Sequence, residues 1–248
     1  MDILHTLLLF VVGLIAGFMN VFAGGGSTLT LPALIFLGLD SASANGTNRI
    51  AIIIQNIFAM WGFQQEKVNH LKQSFLLAVF TLPGAVLGAI LAVRISDLWF
   101  QRILGVIMIL IIVTMFFPQS RNVTDTGNNG DRKPMLIYPA LFGIGFYGGF
   151  IQVGVGFLLM AALYHILKIG LVKVNVHKVA IIFLYTIPAI MIFIVTGNIN
   201  WELGLSLAAG NGAGGWLAAR ISVKGGEKII RYTLALTILV MAVKLFRF

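Results

Sequence analysis

Eight long apolar runs, near 3–22, 46–64, 72–94, 97–117, 135–153, 174–197, 199–220 and 228–247, dominate this sequence. Crossing ~30 Å of hydrocarbon takes ~20 helical residues. Each run is long enough to do so. In lipid every backbone N–H and C=O must be paired within the protein, and helices achieve this locally. The expected fold class is therefore an all-α integral membrane protein. Two shorter apolar pieces, 27–38 and 156–169, reach only ~18 and ~21 Å at ~1.5 Å per residue. Each follows a glycine-rich stretch, Ala23-Gly24-Gly25-Gly26 and Gly154-Val155-Gly156. Extended backbone there completes a crossing only inside protein or beside a water-filled cavity.

Composition agrees with this reading. Of 248 residues, 59% are apolar and 10% charged, against roughly 25% charged in soluble domains. The mean hydropathy is +0.98. A soluble enzyme, a disordered chain and an ordinary nucleic-acid binder are excluded. The net charge of +9 comes from 17 Lys and Arg against 8 Asp and Glu. The basic residues fall mostly in short connections, where they act as orientation signals. Cysteine is absent, which removes disulfides, cysteine metal sites and thiol nucleophiles. The first apolar run follows Asp2 and His5, not a basic cluster, so it reads as a retained span and not a cleaved signal.

The chain divides at its one long polar stretch, residues 118–134. Residues 1–117 form a first transmembrane repeat, 118–134 a cytoplasmic linker and 135–248 a second repeat. Gly84-Ala85-Val86-Leu87-Gly88 leads to Arg94-Ile95-Ser96, and Gly210-Asn211-Gly212-Ala213-Gly214 leads to Arg220-Ile221-Ser222. Both read G-x3-G-x3-A-x-R-I-S. Gly24 and Gly26 match Gly154 and Gly156, and Asn48-Arg49-Ile50-Ala51 resembles His177-Lys178-Val179-Ala180. Small-x3-small patterns also recur wherever membrane helices pack closely, but the common order and the common R-I-S ending favour duplication.

Charge counting orients the spans. If both short pieces cross, each half has five crossings and the repeats are inverted. Loops 65–72, 118–134, 168–178 and 220–231 then share one side with twelve of the 17 basic residues, against five on the other. Without Arg49 and Lys178 the balance is eleven to four. If the short pieces turn back, it is ten to seven. The positive-inside rule favours ten segments, eight long and two short, with both termini outside. Inverted repeats with broken segments near the midplane are the layout of many secondary transporters.

The stretch GFMNVFAGGGSTLTLPALIFLGLDSASANGTNRIA, Gly17 to Ala51, resembles the first-half signature of the sulfite exporter TauE/SafE family of permeases. GGFIQVGVGFLLMAAL, Gly148 to Leu163, resembles its second-half counterpart. The resemblance covers essentially the whole chain. It implies movement of small anions such as sulfite, thiosulfate or sulfonates across a bacterial cytoplasmic membrane.

The residues point to anion chemistry on their own terms. An anion entering lipid loses its hydration, so the protein must supply donors. Backbone N–H groups at helix N-termini do this without net charge, and glycine allows close approach. Gly24, Gly25, Gly26, Ser27 and Thr28 form one candidate contact set; Gln152, Gly154 and Gly156 form the other. Helix packing is the competing explanation for the glycines. Thr47, Asn48 and Arg49 open one apolar helix, and His177 and Lys178 hold the matching place in the second half. A charge inside a span is costly and points to function. Arg49 and Lys178 are expected to flank one central anion, with interfacial snorkelling as the alternative.

Asn20, Gln55 and Asn56, and Asn175, Tyr185 and Thr186, complete the polar residues expected in the core. They line a route or bond between helices. Pro83 and Pro188 are expected to kink their helices. The eight acidic residues fall in loops or at segment ends, so a carboxylate relay through the bilayer is not expected. His177 and His165 are the candidates in or beside the spans for titration near neutrality. Gly143, Gly145 and Gly148 spell G-x-G-x-x-G inside an apolar run, without the flanking strand such a motif needs. No Walker, H-E-x-x-H or G-x-S-x-G sequence occurs, and Ser27 with His177 is the one conceivable nucleophile–base pair. The expected activity is thus secondary anion transport by alternating access, with an anion channel as the alternative. No cofactor or metal is implied. The expected partners are a small anionic substrate and membrane lipid, not nucleic acid, and nothing in the sequence sets an oligomeric state.

Overall fold

The computed structural model describes residues 3–68, 70–116 and 135–245, and among these every regular element is helical. The helices are α1 (Ile3–Ala23), α2 (Ser27–Phe36), α3 (Ser41–Gln65), α4 (Leu71–Val79), α5 (Leu82–Arg94), α6 (Asp97–Phe116), α7 (Ile137–Phe150), α8 (Val155–Leu167), α9 (Leu171–Val195) and α10 (Trp201–Leu245). The polar stretch 118–134 lies outside the described residues.

Most helices start and stop where local chemistry dictates. The Asp40 side chain accepts from the Ser43 backbone N–H at 3.0 Å. This cap lets α3 begin at Ser41, five residues before the apolar run expected at 46. The run 72–94 is not one helix. It breaks at Phe80-Thr81, just before Pro83, and α4 and α5 meet at 55°. Proline has no N–H for the carbonyl four residues back and its ring clashes with that carbonyl, so Pro83 is accommodated in the first turn of α5 and the break falls just before it. Pro188, by contrast, lies within an unbroken α9. The turn expected at 220–231 is also absent, and α10 runs through it for 45 residues. Apart from Gly225-Gly226 that stretch is rich in helix-compatible residues and has no proline.

The surface is apolar and the interior is polar. Leu8, Trp61, Trp99, Met191 and Trp201 are exposed, whereas Asn45, Asn48, Arg49, Asn56, Asn175 and Lys178 are buried. A water-soluble fold would reverse that arrangement. Among the described residues, α1 from Thr6 and α9 are each long and apolar enough to cross a bilayer, and the bent α4–α5 pair reaches that length and apolarity only when its two helices are taken together.

Glycines set the helix contacts, and one contact occurs twice. On α10, a Cβ at Gly210 would strike the Phe10 carbonyl, and one at Gly214 the Leu14 carbonyl. On α5, a Cβ at Gly84 would strike the Phe142 carbonyl, and one at Gly88 the Phe146 carbonyl. The opposing faces repeat as well: Gly13 and Gly17 of α1 meet Leu207 and Asn211, while Gly145 and Gly149 of α7 meet Thr81 and Ala85. The first helix of each half thus packs on the G-x3-G helix of the other. Gly143, Gly145 and Gly148 belong to this helix surface, not to a phosphate loop.

These contacts also give direction. Residue numbers rise together along α1 and α10, so the two helices run parallel. They rise together along α3 and α10 too, where Gly204 faces Thr47, Gly212 faces Ile54 and Gly62 faces Trp216. Hence α1 and α3 run the same way, and the short α2 carries the chain back between them.

Candidate functional site

Helix α1 ends at Ala23 because Gly24 takes a φ of +85°, a conformation that side chains disfavour. In the second half Gly154 has a φ of +72° and caps the N-terminus of α8, preceded by Gln152 at +64°. The two breaks touch. A Cβ at Gly24 would fall within 2.5 Å of the Gly156 Cα, so the bare backbones lie in contact. Gly25 packs on the Phe157 ring, and Gly26 on Ala16 and Asn20. The N-termini of α2 and α8 therefore meet at one place, where Ser27, Thr28 and Gln152 are all buried. Thr28 Oγ1 donates to the Gly25 carbonyl at 2.6 Å and so closes its own turn.

The carbonyl ends left behind at each break are bound by the third helix of the other half. At the end of α7, Asn45 Nδ2 donates to the Phe150 carbonyl at 2.6 Å. One turn further along α3, Arg49 Nη1 donates to the Gly148 carbonyl at 3.2 Å and Nη2 to the Gly149 carbonyl. The guanidinium lies 4.7 Å from the Phe193 ring centre. At the end of α1, Lys178 Nζ donates to the Val21 carbonyl at 2.7 Å and the Asn20 carbonyl at 3.1 Å. Its third oxygen partner is Asn175 Oδ1 at 2.9 Å. The last carbonyls of a helix lack intrahelical donors and carry the negative end of its dipole. A cation placed there is stabilised without a carboxylate, and among the described residues no acidic side chain forms an ion pair with either cation.

The sequence candidates sort themselves around this frame. Gly24, Gly25, Gly26, Ser27, Thr28, Gln152, Gly154 and Gly156 gather at the crossing of the two breaks. Arg49 and Lys178 lie beside it, each turned onto main-chain carbonyls. Neither snorkels: Arg49 is 0% and Lys178 1% exposed. Thr47 faces elsewhere, its hydroxyl accepting from the Asn200 N–H at 2.9 Å. His177 Nδ1 pairs with Ser74 Oγ at 2.9 Å, and its ring lies 5.8 Å from that of His70. The serine beside His177 is thus Ser74, not Ser27. Asn48 is buried with neither amide atom bonded. Asn20 Nδ2 donates to Gln55 Oε1 at 3.1 Å and links α1 to α3, whereas Asn56 Nδ2 donates to the Ile52 carbonyl at 2.7 Å, one turn back in its own helix. Asn45 and Ser74 do not stand out in the sequence. A signal for Asn45 does exist, since it lies one helical turn before Arg49.

Relatives place this architecture. The chain is 29% identical to a probable membrane transporter protein of Haemophilus influenzae, over 96% of this chain and 93% of the relative. It is 28% identical to the probable membrane transporter protein ORF9 of a Sinorhizobium species, over 96% and 90%. It is also 28% identical to the probable membrane transporter protein YfcA of Escherichia coli, over 96% and 88%. No solved structure matches the chain. The family model described as sulfite exporter TauE/SafE matches residues 9–245, and the chain belongs to that family of membrane transporters.

Proposed function

We propose that the protein is a secondary transporter that moves small anions, of the sulfite, thiosulfate or sulfonate class, across the bacterial inner membrane by alternating access. The observation that carries this reading is the contact of two glycine-broken helices whose N-termini meet in a buried, polar interior. Half-helix N-termini at such a crossing offer N–H groups and positive dipole ends to an anion. The family name and the relatives' description as transporters agree with it.

The reading takes residues 1–117 and 135–248 as inverted repeats of five crossings each, with both termini outside. Its supports are the twofold recurrence of the glycine contacts and the parallel course of α1 and α3, which makes α2 a crossing. At ~1.5 Å per residue α10 is ~68 Å long, more than twice a bilayer core. In the structure α10 is one unbroken helix, so the reading requires the chain to reverse at Gly225-Gly226, on the cytoplasmic side, when a bilayer is present. Charge supports the orientation: Arg220 and Lys224 both lie beside Glu66, at the end of α3 assigned to the cytoplasm.

Reconstituted vesicles test the proposal. Labelled sulfite, thiosulfate and a simple sulfonate should enter with saturable kinetics and counterflow. An inside-negative potential should speed net efflux, because an uncompensated anion carries charge. Unitary currents would mark a channel, and vesicles inert to every one of these anions would sink the proposal.

A further inference from the structure

The two buried cations differ in what they have left to offer. The Lys178 ammonium has three N–H groups and three oxygen acceptors, Val21 O, Asn20 O and Asn175 Oδ1. It is fully spoken for. The Arg49 guanidinium has five N–H groups; its two terminal nitrogens serve Gly148, Gly149 and Asn45, and its Nε has no acceptor. A second unclaimed donor stands at the same residue. Tyr185 is 0% exposed, its hydroxyl has no hydrogen-bond partner, and a Cβ at Gly148 would lie 2.7 Å from that oxygen. Gly148 is also the residue whose carbonyl Arg49 holds. Gln152, whose Nε2 donates to Thr186 Oγ1 at 3.3 Å, has an unpartnered Oε1. An amide oxygen has two lone pairs, so Gln152 is the side chain that competes with the anion for these donors.

We infer that Arg49 Nε and the Tyr185 hydroxyl form the side-chain contact for the transported oxyanion, next to the break between α7 and α8, while Lys178 only holds the break in α1. This rests on the anion-transport reading and narrows it to one side of the pseudo-symmetric core. The ligand is an oxyanion that presents two acceptor oxygens, as a sulfite or sulfonate head does. Arginine suits such a head because its donors are fixed in a plane. The matching basic residue in the second half is a lysine with no spare donor, so the two halves are not equivalent toward the anion.

The test uses the full chain, purified and reconstituted, with sulfite and methanesulfonate as probes. Two readouts are taken for wild type, Tyr185→Phe and Arg49→Lys: the thermal shift caused by the anion, and the KM and maximal rate of flux. Tyr185→Phe should bind sulfite about tenfold more weakly, the worth of one hydrogen bond to a charged group. KM should rise by the same factor while the maximal rate stays within about twofold. Arg49→Lys keeps the charge but removes the planar fork, and should weaken binding at least as much. If Tyr185→Phe does not fold, Arg49→Lys decides alone. A KM and a sulfite-induced shift unchanged in the variant that folds would overturn the contact, as would a wild type that neither anion stabilises. A wild type stabilised by sulfite but inert in flux would leave the contact standing and remove transport.

Discussion

Gly24 and Gly156 bring the two halves of the molecule into backbone contact at their breaks. Neither can accept a side chain: Gly24 has a φ of +85°, and a Cβ on either would enter the other's main chain. Gly156→Val should therefore destabilise the fold by about 1–3 kcal/mol and abolish flux. Gly26→Val should do the same, because its Cβ would strike Ala16 and Asn20. Thermal unfolding in detergent and flux in vesicles check both. Normal transport by either variant would contradict the close crossing.

Glycines on a single helix should differ sharply. Gly145 of α7 faces the Thr81 carbonyl, whereas a Cβ at Gly143, two residues earlier, would meet nothing within 4 Å. Gly145→Ala should cost about 1–3 kcal/mol. Gly143→Ala should be neutral or stabilise by up to ~1 kcal/mol through helix propensity. The melting temperatures of the two variants give the comparison, and equal losses would show that α7 does not pack on α5 in this register.

Lys178 should be more important to stability than to anion affinity. Its ammonium binds the Asn20 and Val21 carbonyls with no carboxylate paired to it. Lys178→Met removes a costly buried charge but strands the Val21 carbonyl and Asn175 Oδ1, each worth about 1–3 kcal/mol when unsatisfied, while the Asn20 carbonyl keeps the Gly24 N–H. A net loss of roughly 2 kcal/mol is expected, with the sulfite-induced thermal shift of the folded fraction retained. Loss of that shift without loss of stability would reverse the roles assigned to Lys178 and Arg49.

The sequence revealed whatever was local. Apolar length announced the helices, Gly24 and Gly154 announced the breaks, and Pro83 announced the division between α4 and α5. Asp40-Ser41-Ala42-Ser43 carried the capping signal for α3, but an apolar window passes over polar capping residues. The unbroken course of α10 was hidden because charged residues suit a helix as well as a loop. Arg49 and Lys178 stood out as buried charges, yet their direction depends on packing between halves. No spacing within α3 or α9 shows that each reaches a carbonyl end roughly a hundred residues or more away in the chain. The His177–Ser74 pair was concealed for the same reason.

Glu66 should make the contact between the C-terminal end of α3 and α10 sensitive to acid. Its carboxylate accepts from Arg220 Nε at 2.9 Å and lies 3.5 Å from Lys224 Nζ. The Arg220 hydrogen bond, aided by Lys224, holds the carboxyl below its ordinary value of 4.5. A depressed folded-state pKa stabilises the fold above the unfolded value, and that stability disappears as pH falls through the folded one. Wild type should thus lose stability below pH 4.5 more steeply than Glu66→Gln. Parallel acid melts of the two chains would refute the contact.

Transport should be independent of sodium. In carriers built on broken helices, the carbonyl ends of half-helices are where a co-transported cation is coordinated. Here those ends are already taken. Gly148, Gly149 and Phe150 carbonyls accept from Arg49 and Asn45, and Asn20 and Val21 carbonyls accept from Lys178. The protein's own tethered cations stand where a sodium ion would need ligands, and among the described residues no group of carboxylates and histidines is arranged to hold a metal ion instead. Replacing external sodium with choline at constant ionic strength should leave sulfite flux within about twofold, less than the ~0.6 kcal/mol that one RT represents in a barrier. A flux that collapses without sodium would mean that Arg49 or Lys178 releases its carbonyls during the cycle.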